Sequence, residues 1–271
     1  MSGIAGTWQR NGAPVEPELL EKFSIGLTPY GSDTFGHWSG GEIAFLHCMQ
    51  RSTPESIEES QPFSAENGKY IITADARIDN REELLAQLGL RDQPDLPDSQ
   101  VILAAYQVWG TECPLHLLGD FAFAIWDQAK QQIFCARDAF GVRPFYYYHT
   151  MDQFTFGSSI GVILADKRVP RKLNEEKIAD FLLELFEDKA RTFYQDVFRL
   201  PPAHIMVVSH GGEWISRYWS LDPETELRLP TDADYAAAYR EAFVEAVRCR
   251  LRSAVTIGST LSGGLDSSSV T

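Results

Sequence analysis

The chain has 271 residues, 44% of them hydrophobic, and a net charge of −14 from 24 Lys and Arg against 38 Asp and Glu. That length buries a large core and holds one full domain plus part of another. An excess of acid on this scale argues against general binding to nucleic acid or to a membrane surface, and no apolar run approaches the ~20 residues of a membrane span.

Up to about residue 218 the chain reads as rich in strands. Segments Tyr70–Ile78, 121–126, 132–136, 144–149 and 154–158 are short, aromatic and β-branched, with turn residues between them. Helical patterns interleave at 16–23, 80–88, Asp98–Trp109 and 174–186. In the third of these Val101, Ala104, Ala105 and Val108 fall on one face. Residues 203–219 read as a hairpin turning at Gly211 and Gly212. This mixture predicts a layered sheet domain rather than a helical bundle.

Several charged or aromatic features read as structural. Arg137, Asp138 and Arg143 are expected to form internal ion pairs at strand ends, and Phe145 to Tyr148 a sheet core. The glutamates at 16–21 and 55–59 read as solvated faces. Cys48, Cys113, Cys135 and Cys249 form no CxxC pair, and no signal peptide precedes them, so they imply reduced thiols and a cytoplasmic location. The six histidines show neither HxxxH nor HxxEH spacing, the patterns of a catalytic zinc site.

Residues 220–230 are polar, without periodicity, and read as a linker. Thr231 followed by Asp234 is a capping-box pattern opening a helix, with Tyr235, Tyr239, Phe243, Val247 and Leu251 on one face. An apolar stretch at 255–261 predicts a buried strand. LSGGLDSSSV then runs from Leu261 to Val270. Gly263 and Gly264 allow a tight turn and close approach of a ligand. Ser262, Ser267 and Ser268 supply hydroxyls, and the following helix start favours an oxyanion. Asp266 repels a phosphate unless a hard cation lies between them, which points to Mg²⁺ carried with a nucleotide.

With no lysine, the loop is not the nucleoside-triphosphate loop ending in Gly-Lys-Ser/Thr. It resembles the SGGxDSS pyrophosphate loop of enzymes that cleave ATP between its α- and β-phosphates. With LLGDFAFAIWD at 117–127, RDAFGVRPFYYY at 137–148, LPPAH at 200–204 and RYW at 217–219, residues 2–271 resemble the asparagine synthetase type of class II glutamine amidotransferase. The resemblance implies an N-terminal-nucleophile αββα sandwich over 2–219, an α+β fold, and then the start of an α/β ATP-pyrophosphatase domain at 231–271, truncated or completed by another chain. It implies ATP and Mg²⁺ as cofactors. Leu261, Ser262, Gly263, Gly264, Leu265, Ser267 and Ser268 bind the nucleotide in that reading, and Asp266 the metal.

The first domain departs from the family at its chemistry. Members open Met-Cys-Gly-Ile; here Met1, Ser2, Gly3 and Ile4 stand there. Ser2 is the degenerate nucleophile position; its small side chain permits Met removal, but a hydroxyl needs a better base than a thiol. The family's oxyanion segment NGEIYN aligns with DARIDN, placing Asp75 where a donor is required. The glutamine-binding arginine aligns with Met49, with Arg51 two residues on as a substitute that a strand would put on the same face. Asp98, which in the family binds the glutamine amine, is retained. The expectation is a silent glutaminase scaffold on an ATP-dependent carboxylate-adenylating ligase. In wording (HCMQRSTPES at 47–56, DSQVILAAYQVWG at 98–110) it is most similar to lasso-peptide macrolactam cyclases, whose substrate is a peptide carboxylate. The alternatives are an asparagine synthetase homologue, a β-lactam synthetase-like enzyme acting on a small molecule, and a non-catalytic fragment or subunit. The 271-residue chain alone is expected to show no ATP–pyrophosphate exchange.

Overall fold

The computed structural model describes all 271 residues and divides into two compact units. The first comprises Met1–Gln50 and Glu59–Ser220, the second Arg51–Glu58 and Leu221–Thr271.

The first unit contains two six-stranded antiparallel sheets. Its strands are β1 (Gly3–Gln9), β2 (Thr34–Ser39), β3 (Ile43–Met49), β4 (Phe63–Ala65), β5 (Tyr70–Ile78), β6 (Gly119–Asp127), β7 (Gln132–Arg137), β8 (Tyr146–His149), β9 (Gln153–Gly157), β10 (Phe198–Arg199), β11 (His204–Ser209) and β12 (Gly212–Arg217). One sheet has the order β10-β8-β9-β1-β3-β2, the other β12-β11-β7-β6-β5-β4. Alternation along each strand sends side chains to two different cores. Ile4 and Trp8 of β1, Phe45 of β3, Ile71 of β5 and Trp126 of β6 meet between the sheets.

The opposite faces carry helices. Helix α1 (Pro17–Leu27) packs Leu19, Phe23 and Leu27 on Ala5, Ala44 and Leu46 of the first sheet. Helices α2 (Arg81–Gln87) and α3 (Asp98–Trp109) cover Ile72, Phe123 and Phe134 of the second. These layers make the αββα sandwich. Gly6 makes room for the rings of its two cross-strand partners in the first sheet, because a Cβ there would lie 2.4 Å from the Phe156 ring and 2.8 Å from Phe45.

Two short helices complete this unit, α4 (Ile160–Ile163) and α5 (Glu175–Leu182). Helix α5 ends sooner than the pattern at 174–186 predicts: Leu183 closes it, and Glu184 turns to φ 57°. Phe145, Tyr147 and Tyr148 are buried, as the aromatic run predicts.

In the second unit, α6 (Asp232–Arg250) starts at the predicted cap. The Thr231 side chain accepts the Asp234 N–H at 3.3 Å, and an Asp234 carboxylate oxygen accepts the Thr231 N–H at 3.0 Å. No strand forms at 255–261. A lone extended segment has no neighbour to take its N–H and C=O groups, and Val255, Ile257 and Leu261 remain exposed. The chain ends in α7 (Leu265–Val270). The four cysteines are free thiols, and no helix is long and apolar enough to cross a membrane.

Candidate functional site

Strand register brings the degenerate nucleophile position and its neighbours together. Gly3 of β1 pairs with Cys48 of β3, so Ser2 and Met49 meet one step further on, at the end of the inter-sheet layer. The Ser2 hydroxyl lies 3.7 Å from the Met49 sulfur and accepts the Gln50 N–H at 3.0 Å. On β5, Ile71, Thr73 and Asp75 alternate onto the inter-sheet face. An Asp75 carboxylate oxygen, Oδ1, accepts the backbone N–H of Ser2 at 3.2 Å.

The surroundings of Asp75 set its charge. Its other oxygen, Oδ2, is buried without a hydrogen bond and faces the Arg143 guanidinium at 3.5 Å. Burial pushes the carboxyl up to about 6, while Arg143 pulls the other way. Arg143 comes from the loop between β7 and β8, which is folded around Asp138. The Asp138 carboxylate accepts the N–H groups of Phe140, Val142 and Arg143, and Arg137 donates to the carbonyls of Arg143 and Leu200. Arg137 and Asp138 therefore hold the loop through its backbone rather than by the ion pairs expected at strand ends, and Arg143 is left to face Asp75.

With Met1 in place the Ser2 nitrogen is an amide, and no side-chain base reaches the Ser2 hydroxyl. Its contacts are the Met49 sulfur and the backbone of Gln50, whereas a working hydroxyl nucleophile needs a proton acceptor within hydrogen-bond reach. The side chain that meets the Ser2 backbone is the Asp75 carboxylate, an acceptor and not a donor. The alternation expected to put Arg51 on the face of Met49 is absent. Strand β3 ends at Met49, so the alternation stops before residue 51, which belongs to the second unit.

Asp98 lies at the first turn of α3 and is 6% exposed. Its carboxylate pairs with the Arg81 guanidinium and accepts the Ile78 N–H at 3.1 Å. Beside it, Ser99 donates to Glu59, which also accepts from Gln61 at 3.0 Å. The Gln61 amide in turn clamps both backbone groups of Ala74, the residue before Asp75. Burial pushes Glu59 up to about 7, against the hydrogen bonds from Ser99 and Gln61. The solvated face expected over 55–59 is thus wrong: Glu59 is 8% exposed and Glu55 is ion-paired with Arg252 at 2.8 Å. Charge runs carry no signal for burial, and sequence reasoning missed Glu59, Gln61 and Gln50. Only the spacing of Asp98 and Ser99 within a helix start hinted at a buried network.

The glycine-serine loop is exposed from Leu261 to Asp266, with Ser267 half-buried. Gly263 takes φ 81°, the left-handed region that favours glycine. The Ser262 and Ser267 hydroxyls are 3.0 Å apart, and Ser268 donates to the Gly264 carbonyl. These hydroxyls bond within the loop, while nothing lies within 4 Å of the Gly263 Cβ position, which leaves open space at the turn. Asp266 is the loop's single acid, and the chain gathers no group of three His, Cys, Asp or Glu for a metal ion. A Mg²⁺ ion here would depend on phosphate oxygens for its other ligands.

Comparison with known proteins is consistent across both regions. Residues 1–219 match the family model described as a glutamine amidotransferase domain, and residues 238–271 match that of asparagine synthase. The chain is 31% identical to asparagine synthetase [glutamine-hydrolyzing] 3 of Bacillus subtilis, covering 94% of this chain and 42% of that protein. It is 28% identical to amidase chry2 of Gibberella zeae, over 89% of this chain and 36% of the relative. The chain thus spans about two fifths of the length of the curated relatives it matches. In fold it is similar to a glutamine phosphoribosylpyrophosphate amidotransferase of B. subtilis solved with ADP and GMP. That likeness has a TM-score of 0.55 at 15% identity and covers 80% of this chain and 49% of the other.

Proposed function

The chain belongs to the asparagine synthetase family of class II glutamine amidotransferases, and from that premise we propose that it is part of an ATP-dependent amide-forming ligase whose amidotransferase-like domain hydrolyses no glutamine. The observation that carries this reading is Asp75, a buried carboxylate set against residue 2 where an oxyanion needs donors. A tetrahedral oxyanion there meets repulsion, and loss of one donor alone costs roughly 10²–10³ in rate. Ser2 has a hydroxyl in place of a thiol and no side-chain base in contact with it. Met49 offers no charge to a glutamine carboxylate. Retention of Asp98 does not offset these losses, since Arg81 holds its carboxylate.

Without ammonia from glutamine, the amine comes with the substrate. In this reading the loop 261–268 holds the β- and γ-phosphates through Ser262, Gly263, Gly264, Ser267 and Ser268. Leu261 and Leu265 flank the nucleotide, and Asp266 takes one Mg²⁺ position. ATP supplies the activation: the carboxylate displaces pyrophosphate and is captured by the amine with release of AMP. The wording at 47–56 and 98–110 favours a macrolactam cyclase acting on a lasso precursor peptide. A second reading, aspartate to asparagine with free ammonia, is favoured by the names of the B. subtilis relatives.

Incubation of the full natural protein with ATP, Mg²⁺ and candidate precursor peptides, read by mass spectrometry, tests the choice. Loss of one water from a peptide supports the cyclase. Formation of asparagine from aspartate and ammonia with every peptide unchanged overturns it.

A further inference from the structure

We propose that Asp75 is the seat of the mature chain's own α-ammonium: with Met1 removed, Ser2, Asp75 and Arg143 form a buried charge triad that withholds the amine from base catalysis. This rests on the reading of a silent amidotransferase-like domain and supplies a chemical reason for it.

The geometry is in place before any cleavage. Met1 is 53% exposed and its amine reaches the Gln50 side chain, whereas Ser2 is 8% exposed and its backbone N–H already lies on Asp75. The small side chain of Ser2 suits an aminopeptidase, which adds water across the Met1–Ser2 bond. The hydroxyl goes to the Met1 carbonyl carbon and the proton to the Ser2 nitrogen, and free methionine leaves.

The carboxylate is better matched to an ammonium than to an amide. Asp75 is 4% exposed, and its Oδ2 has no hydrogen bond, only the Arg143 charge at 3.5 Å. A backbone amide offers one donor, and an ammonium offers three. It adds positive charge directly against a buried anion that Arg143 meets only at 3.5 Å. The consequence for catalysis is direct. An N-terminal nucleophile uses its free α-amine as the base, and an amine held charged by a carboxylate has no lone pair to accept a proton.

The test uses the protein purified from its natural source. Its intact mass should lack methionine, and retention of Met1 overturns the proposal. The rate of α-amine acylation is then followed against pH beside a seryl peptide. Ion pairing displaces the rise of the profile to higher pH, and at neutral pH slows acylation by at least about tenfold. Burial without pairing displaces the profile to lower pH. A profile at or below that of the peptide therefore overturns the triad. Asp75→Asn should return the profile toward the peptide's, and Asp75→Glu should keep it high. If Asp75→Asn does not fold, the wild-type profile alone decides. Glutamate release is measured separately: a glutaminase with a displaced profile refutes the silent domain and the withheld base together, whereas a silent domain with an undisplaced profile refutes the ion pair alone.

Discussion

Asp75 and Arg143 face each other across 3.5 Å at the end of the inter-sheet layer, and the free side of the carboxylate receives the N–H of Ser2. In the proposed reading, this pair occupies the place where an active amidotransferase needs neutral donors. The first prediction concerns what restores the chemistry.

Ser2→Cys alone is expected to give no measurable glutamate release, because the thiol would still face Asp75 and lack an arginine at position 49. Activity from the single variant at within about 10²-fold of an active relative would show that Asp75 is no obstacle. The triple variant with Asp75→Asn and Met49→Arg is the one expected to gain turnover.

The Arg81–Asp98 pair is buried on both sides, with side chains 8% and 6% exposed. Arg81→Leu strands the Asp98 charge against the first turn of α3 and is expected to cost about 3–5 kcal/mol. Adding Asp98→Asn should recover part of that loss. Urea denaturation of the three proteins reads the result. Equal stability of Arg81→Leu and wild type would show that Asp98 is solvated.

Glu59 and His47 make opposite contributions to stability as pH changes. Burial raises Glu59 from its ordinary 4.5 to about 7, so its stabilising contribution is full below pH 4.5 and is lost as pH rises through about 7. Asp98, Ser99 and Gln61 are the polar groups that act on it. His47 Nδ1 shares a hydrogen bond with the Thr73 hydroxyl at 3.2 Å, its other ring nitrogen is unpartnered, and burial lowers it to about 3. Its contribution is full above pH 6.5 and is lost as pH falls through about 3. Glu59→Gln should therefore gain on the wild type by on the order of 2–3 kcal/mol between pH 4.5 and 8. Denaturation at both ends of that range, with a difference that does not change, would contradict the buried acid.

Asp266→Asn in the full natural protein is expected to abolish substrate-dependent ATP–pyrophosphate exchange while leaving the thermal unfolding midpoint in place. The residue is exposed, and the change is nearly isosteric. Retained exchange would remove Asp266 from the metal position.

Strand β5 and helix α3 were legible to the residue, since Tyr70–Ile78 carries β-branched residues between turn signals and Asp98–Trp109 an apolar face. The Thr231–Asp234 box was legible because a cap depends only on neighbours in sequence. Strands β1 and β3 left no alternating signal, being buried along their whole length between a helix and a second sheet. The strand expected at 255–261 failed for a tertiary reason: its apolar residues fit a ladder, and no neighbouring strand is there to form one. At the candidate site, motif alignment found Ser2, Met49 and Asp75, but the loop that turns Arg143 onto Asp75 depends on backbone hydrogen bonds to Asp138. No spacing announces that arrangement.

Glutamate release from glutamine by the full natural protein, with its N-terminus defined by mass spectrometry, tests the central claim most directly. The account predicts no release above the uncatalysed background at pH 7–8 while the protein still consumes ATP with its carboxylate substrate. Steady glutamine turnover that disappears on Ser2→Ala would contradict it.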